Sequence, residues 1–222
     1  ARTGEVRFAA GLSETLRALE EPIHFLDFET FGPALPIYPR TRPYQYVPVQ
    51  WSCHTRAGGL LHHVEYLHTD PSDPRRAFAE SLLRALGDES PRGEGAIVVY
   101  TGYEARVLDS LMPELPDLAD GLKALQARFF DLEKVIHQHV QHPGFRGRTS
   151  LKCVLPALVP DLSYQGLAVT DGEVATLRWA QAVHGELDEA ERQQIFADLR
   201  AYCATDTLAL VRILEVLRAS AG

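Results

Sequence analysis

Apolar positions recur at three- and four-residue spacing over residues 11 to 20, and that period predicts a first helix. The run IHFLDF, residues 23 to 28, lacks the period; it is almost wholly apolar and reads as a buried strand ending in two acids, Asp27 and Glu29. TFGPALPIYPRTRPY follows, with prolines at 33, 36, 39 and 43 that fix φ and impose a stiff, extended connection. VPVQWSCHT and LLHHVEYLH then flank RAGG, whose glycines suit the reversal of a β-hairpin. Asp73 and Pro74 make an N-cap and first-turn pair for a helix to about Leu86, stopped at Gly87. After the polar loop GDESPRGEG, AIVVY is another buried strand. From Tyr103 onward helical spacing dominates, interrupted by FFDL at 129 to 132 as a short last strand. Thr149 is placed to cap SLKCVLPAL, which Pro156 kinks or ends, and a long last helix runs from near Asp188 to about Ala219, with room for a break. Strands first, then strand and helix alternation, then helices: the expected class is α/β, a mixed sheet flanked by helices.

Composition adds bounds. A chain of 222 residues, 45% of them hydrophobic, buries a substantial core, and one domain over 1–222 is expected, its core at about 20–218. No apolar run reaches the roughly eighteen residues of a membrane span, and no basic segment leads into an apolar one at the start. Cys53, Cys153 and Cys203 are odd in number, far apart and set among apolar residues, which reads as reduced core thiols and a cytoplasmic location. The net charge of -8 argues against coating nucleic acid by bulk electrostatics. It does not exclude an enzyme gripping a short stretch, because acids gathered around cations inflate the negative count. Locally, Arg146, Arg148 and three histidines lie between Lys134 and Lys152 with no acid among them, a candidate phosphate-facing segment or a solvated basic face.

Three constellations carry candidate chemistry. Asp27 and Glu29, two apart in a strand, face the same side, and two such charges are stable together when a cation lies between them. Tyr202 and Asp206, four apart, share a helix face within an apolar stripe. Glu104 opens a helix directly after a buried strand, where α/β sheets place their sites, although first-turn acids also favour helices structurally. Asp109 and Asp131 compete with it, and spacing does not rank the three.

A strand with Asp-x-Glu, an acid at a strand-to-helix junction and a C-terminal helix with Tyr-x-x-x-Asp together resemble the DEDD superfamily of 3'-5' exonucleases, in its tyrosine-bearing branch, within the ribonuclease H-like fold. FLDFET, PALPIYPRTRPYQYVPVQWSCH, TSLKCVLPAL and YCATDTLALV further resemble a bacterial family of uncharacterised ribonuclease H-like nucleases, over about residues 20 to 218. The resemblance implies a five-stranded mixed sheet whose first three strands are antiparallel, and a metal-dependent 3'-5' exonuclease acting on single-stranded DNA or RNA. It implies Asp27, Glu29, Glu104 and Asp206 as ligands of two magnesium or manganese ions and Tyr202 as the residue that orients the attacking water. Two such ions, about 3.5 to 4 Å apart, clamp the attacking and leaving oxygens of an in-line displacement. Glu104 departs from the aspartate usual at that position. Lys152, Arg146 and Arg148 are candidates for phosphate contacts, and Phe31 and Tyr44 for stacking on a terminal base. Members of that family sit beside a second nuclease-like domain, so a domain excised from a longer protein is expected, in keeping with a first residue Ala1.

Rival readings are a binding or scaffold module that kept the fold without turnover, and a phosphoesterase of small nucleotides. Zinc on His137, His139 and His142 is disfavoured, because spacings of two and three do not bring all three to one helix face. No nucleophile elbow, phosphate loop or dinucleotide fingerprint is present in the sequence.

Overall fold

A computed structural model describes residues 6–87, 90 and 93–221. In chain order its elements are β1 (Arg7–Phe8), α1 (Leu12–Arg17), β2 (Ile23–Phe31), β3 (Val47–Ala57), β4 (Leu60–Leu67), α2 (Pro74–Leu86), β5 (Ala96–Val99), α3 (Tyr103–Leu111), α4 (Ala119–Ala127), β6 (Phe129–Asp131), α5 (Leu132–His139), β7 (Val140–Gln141), α6 (Leu151–Leu158), α7 (Gly172–His184) and α8 (Glu189–Ala221), with a 3-10 turn at Pro143–Phe145. The main sheet has the order β4-β3-β2-β5-β6. β3 runs antiparallel to both its neighbours, β2 and β4, while β5 and β6 run parallel to β2. The expected five-stranded mixed sheet flanked by helices is therefore present. β1 and β7 form a separate two-stranded antiparallel pair that periodicity did not suggest, since each strand has only two residues.

Local chemistry explains most boundaries. Gly58 and Gly59 both take positive φ, 57° and 76°, as a two-residue hairpin turn between right-twisted strands demands. Asp73 accepts from the Arg75 amide at 3.1 Å and Pro74 follows it, which starts α2. Three expectations need correction: the end of the first long strand, the cap of α6 and the break in the last helix. The first strand continues past Asp27 and Glu29 to Phe31, because pairing with β3 resumes beyond a bulge between Glu29 and Thr30. Ser150, not Thr149, is the N-cap residue of α6; the Thr149 hydroxyl instead donates to Glu133 at 2.9 Å. Pro156, expected to kink or end this helix, lies within α6, which ends two residues later at Leu158. The last helix has no break over its 33 residues. The loop expected at 87 to 95 lies partly outside the described residues, at 88, 89, 91 and 92.

Burial divides the interior into three clusters. The first joins Ile23 and Phe25 of β2 to α1, α5, α6 and the C-terminal half of α8 (Ala209 to Leu217). The second lies across the sheet, where Leu26 and Phe28 meet α2, α3 and α4. The third packs α7 and the N-terminal half of α8 (Ile195 to Tyr202) against Val47 and Val49, with Phe31 alongside. Thus β2 leaves the first cluster and enters the third as it advances, whereas α8 does the reverse. The apolar row of each is interrupted where the other crosses, by Asp27 and Glu29 on β2 and by Asp206 on α8.

Thr30, just past the bulge and 5% exposed, ties three elements at this crossing. Its hydroxyl pairs with the Tyr103 hydroxyl of α3 at 2.6 Å, and its carbonyl accepts from Thr176 of α7 at 2.8 Å. Thr30→Val removes the first bond and leaves a phenol without that partner. Chemical denaturation is expected to report a loss of about 1 to 2 kcal/mol, with faster amide exchange at the start of α3.

Candidate metal centre

The carboxylates of Asp27, Glu29 and Asp206 converge, each offering an oxygen within 4.8 Å of the others. The strand supplies two of them on one face, and α8 supplies the third from the turn that crosses it. Glu104 reaches the same cleft from the first turn of α3. That helix begins after a tight corner in which Thr101, a β-branched residue, is held at φ 78°. Such a backbone costs energy and is kept where its surroundings impose it. Here the Thr101 hydroxyl accepts from the Tyr103 amide at 3.2 Å and fixes the turn that aims Glu104.

Glu104 is 1% exposed, and its Oε2 has no hydrogen-bond partner. A buried carboxylate in that condition calls for a proton or a cation. All four acids are accordingly pushed up. Burial is the first cause for Asp27, with the Asp206 charge next. Burial and then the charges of Asp27 and Asp206 raise Glu29. Burial and then Asp27 raise Glu104. Asp206 rises to about 6 through burial, held back by hydrogen bonds from Tyr164 and Tyr202 and by the Lys152 charge. Asp27 is the common neighbour, coupled to each of the other three.

The cleft, of about 840 Å³, is lined among the described residues by six acids (Asp27, Glu29, Glu104, Asp171, Glu173 and Asp206) against one base, Lys152. An anionic substrate would be repelled from such a wall unless cations were bound there first. The donor set is all oxygen, which suits magnesium or manganese rather than zinc. Around these acids sit hydroxyls and a thiol. The Tyr164 hydroxyl donates to Asp206 Oδ1, and the Cys203 thiol, 3.5 Å from Asp27 Oδ2, is placed to donate to it.

Other candidates fall elsewhere. Asp109 accepts from Gln126 at 2.9 Å, and Asp131 caps α5 through the Lys134 amide and pairs with the Lys134 ammonium at 3.2 Å; neither lines the cleft. Tyr202 and Lys152 do line it. Arg146 and Arg148 are exposed and lie outside its lining. Phe31 packs on Trp179, ring centres 5.2 Å apart, and Tyr44 projects outward at 71% exposure, so Tyr46 rather than either meets the cleft. The histidines diverge: His139 approaches Thr15 at 3.4 Å while His142 accepts from the Gly144 amide. Sequence reasoning missed Tyr164, which no spacing linked to Asp206 forty-two positions later. It also missed Asp171, although Asp-Gly-Glu before an apolar run is a readable N-cap signal and Asp171 accepts from the Val174 amide at 2.9 Å.

A family model described as a domain of unknown function, DUF2779, matches residues 24–150, more than half of the chain. The chain belongs to that family. No curated protein and no solved structure matches it. The DUF2779 match contains Asp27, Glu29 and Glu104 but stops before Lys152, Tyr164, Tyr202 and Asp206, so the acidic centre draws on chain beyond the matched segment.

Raised carboxyl values make the metal-free fold weaker as these acids ionise. For Asp206, stability is fully present below the ordinary value of 3.8 and is lost as pH rises through about 6. Buried His54, lowered to about 4 by burial and then by His63, has the opposite slope in the same window. The decisive quantity is therefore a difference. In metal-free buffer, Asp27→Asn is expected to unfold at a higher temperature than wild type, by a margin that widens as pH rises from about 4 to 7. Scanning calorimetry measures it, and a margin that stays flat would contradict the repulsion.

Proposed function

We propose that this domain is a metal-dependent 3'-5' exonuclease of the ribonuclease H-like fold, hydrolysing phosphodiester bonds of single-stranded DNA or RNA. The observation that carries the reading is the convergence of Asp27, Glu29 and Asp206 beside the buried Glu104, whose Oε2 has no partner. The sheet supports it: three antiparallel strands lead, two parallel strands follow, and the first of the five, at the centre, bears the paired acids. The direction of degradation rests on the resemblance to the DEDD exonucleases.

Asp27, Glu29 and Asp206 would hold divalent cations, with Glu104 as a fourth carboxylate on the same cleft. Bound magnesium or manganese supplies positive charge for the phosphate oxygens and lowers the pKa of water. Tyr202 is pushed well above the usual phenol range, first by burial and then by the Asp206 charge, so it keeps its proton and orients water rather than removing its proton. Lys152, a base in the lining, is positioned to meet a phosphate. Tyr46 and Leu177, 58% and 70% exposed, offer apolar surface to a terminal base.

With manganese, a 5'-labelled single strand is expected to shorten stepwise from its 3' end, and chelator stops the reaction. Asp27→Ala is expected to reduce the rate by more than the roughly hundredfold that loss of a ligand's supporting partner costs. Binding of the strand without any shortening would favour the scaffold reading, which Glu104 in place of aspartate motivates. Unchanged cleavage by Asp27→Ala would refute the metal proposal.

A further inference from the structure

Tyr164 stands on the irregular segment between α6 and α7, yet its side chain is not loose. It packs against both the first and the third hydrophobic clusters, at the seam where β2 and α8 carry their acids. Its ring centre is 5.9 Å from that of Tyr202, and both rings line the acidic cleft. From this position its hydroxyl donates to Asp206 Oδ1. The bond is the foremost influence holding the Asp206 value down, ahead of Tyr202 one helical turn away.

We infer that Tyr164 is a positioning residue for this centre, holding the Asp206 carboxylate in the orientation in which its other lone pairs face the cation. The inference rests on the metal reading above. A carboxylate on a helix can rotate about its side-chain bonds, and one donor from a separate, packed element removes that freedom. Tyr202 cannot do this alone, since it shares the helix with Asp206 and is given the task of orienting water. Both phenols bear on Asp206, but Tyr164 does so from a separate packed element, while Tyr202 is also given the water. The arrangement also makes the segment between α6 and α7 part of the centre, although it lies outside the strand and helices that supply the acids.

Manganese titration by calorimetry, with the electron paramagnetic resonance spectrum of the bound ion, tests it on wild type and Tyr164→Phe. Phenylalanine keeps the ring and its packing, so the metal-free unfolding temperature is a check on the fold. The expected result is manganese affinity weakened about tenfold with an altered spectrum of the bound ion. Tyr44→Phe, at an exposed phenol away from the cleft, is expected to change neither. Wild-type affinity and an unchanged spectrum in Tyr164→Phe would overturn the positioning role while leaving the metal reading intact. Failure of wild type itself to bind manganese would overturn the metal reading, and this inference with it. Should the phenylalanine variant be destabilised, Tyr164→Leu provides a second apolar side chain with no hydrogen-bond donor, and the same loss of affinity is expected.

Discussion

Mutual repulsion among buried and half-buried carboxylates governs this molecule. Asp27, Glu29 and Asp206 lie within 4.8 Å of one another, and Glu104 is close enough to feel Asp27. Burial and like charge both oppose ionisation, so the metal-free protein holds these acids at a cost in stability. Hydrophobic packing on either side of the seam fixes the backbone that brings them together. Stability given up at one point for a preformed charged site is the usual exchange in functional centres.

The hydroxyls and thiol around the acids limit that cost without removing it. Tyr164 and Tyr202 serve Asp206, while Cys203 lies against Asp27. None is charged, so each can satisfy a lone pair while leaving net negative charge for a cation. Lys152 offsets part of the field at Glu29 and Asp206. One lysine against six lining acids among the described residues leaves a strongly negative cleft. That imbalance reconciles an acidic chain with the proposed polyanionic substrate, which such a wall would repel unless cations were bound first.

Rigidity at the seam comes from bonds between elements far apart in sequence. Thr30 links β2 to α3 and α7, and Gln50 donates to the Leu199 carbonyl of α8 at 3.1 Å. The Tyr100 hydroxyl donates to the Thr149 carbonyl just ahead of α6, whose first turn bears Lys152. Buried polar atoms satisfied in this way hold side chains in one arrangement, as a ligand set requires.

The sequence by itself determined the elements whose signals are local. The Gly-Gly turn, the Asp-Pro helix start, the buried strands and the same-sided pairs Asp27/Glu29 and Tyr202/Asp206 follow from backbone sterics and from periods of two and 3.6 residues. Spacing could not rank Glu104, Asp109 and Asp131, because which acid is buried depends on how α3 and β6 pack. Nor could it reveal Tyr164, which acts through the side chain of a helix far along the chain. The bulge that carries β2 onward to Phe31 likewise comes from pairing with β3, a partner that no local pattern names. Tertiary structure alone decided that the paired acids of a strand and the acid of the last helix meet, since only the crossing of β2 and α8 at the seam of two clusters sets their distance.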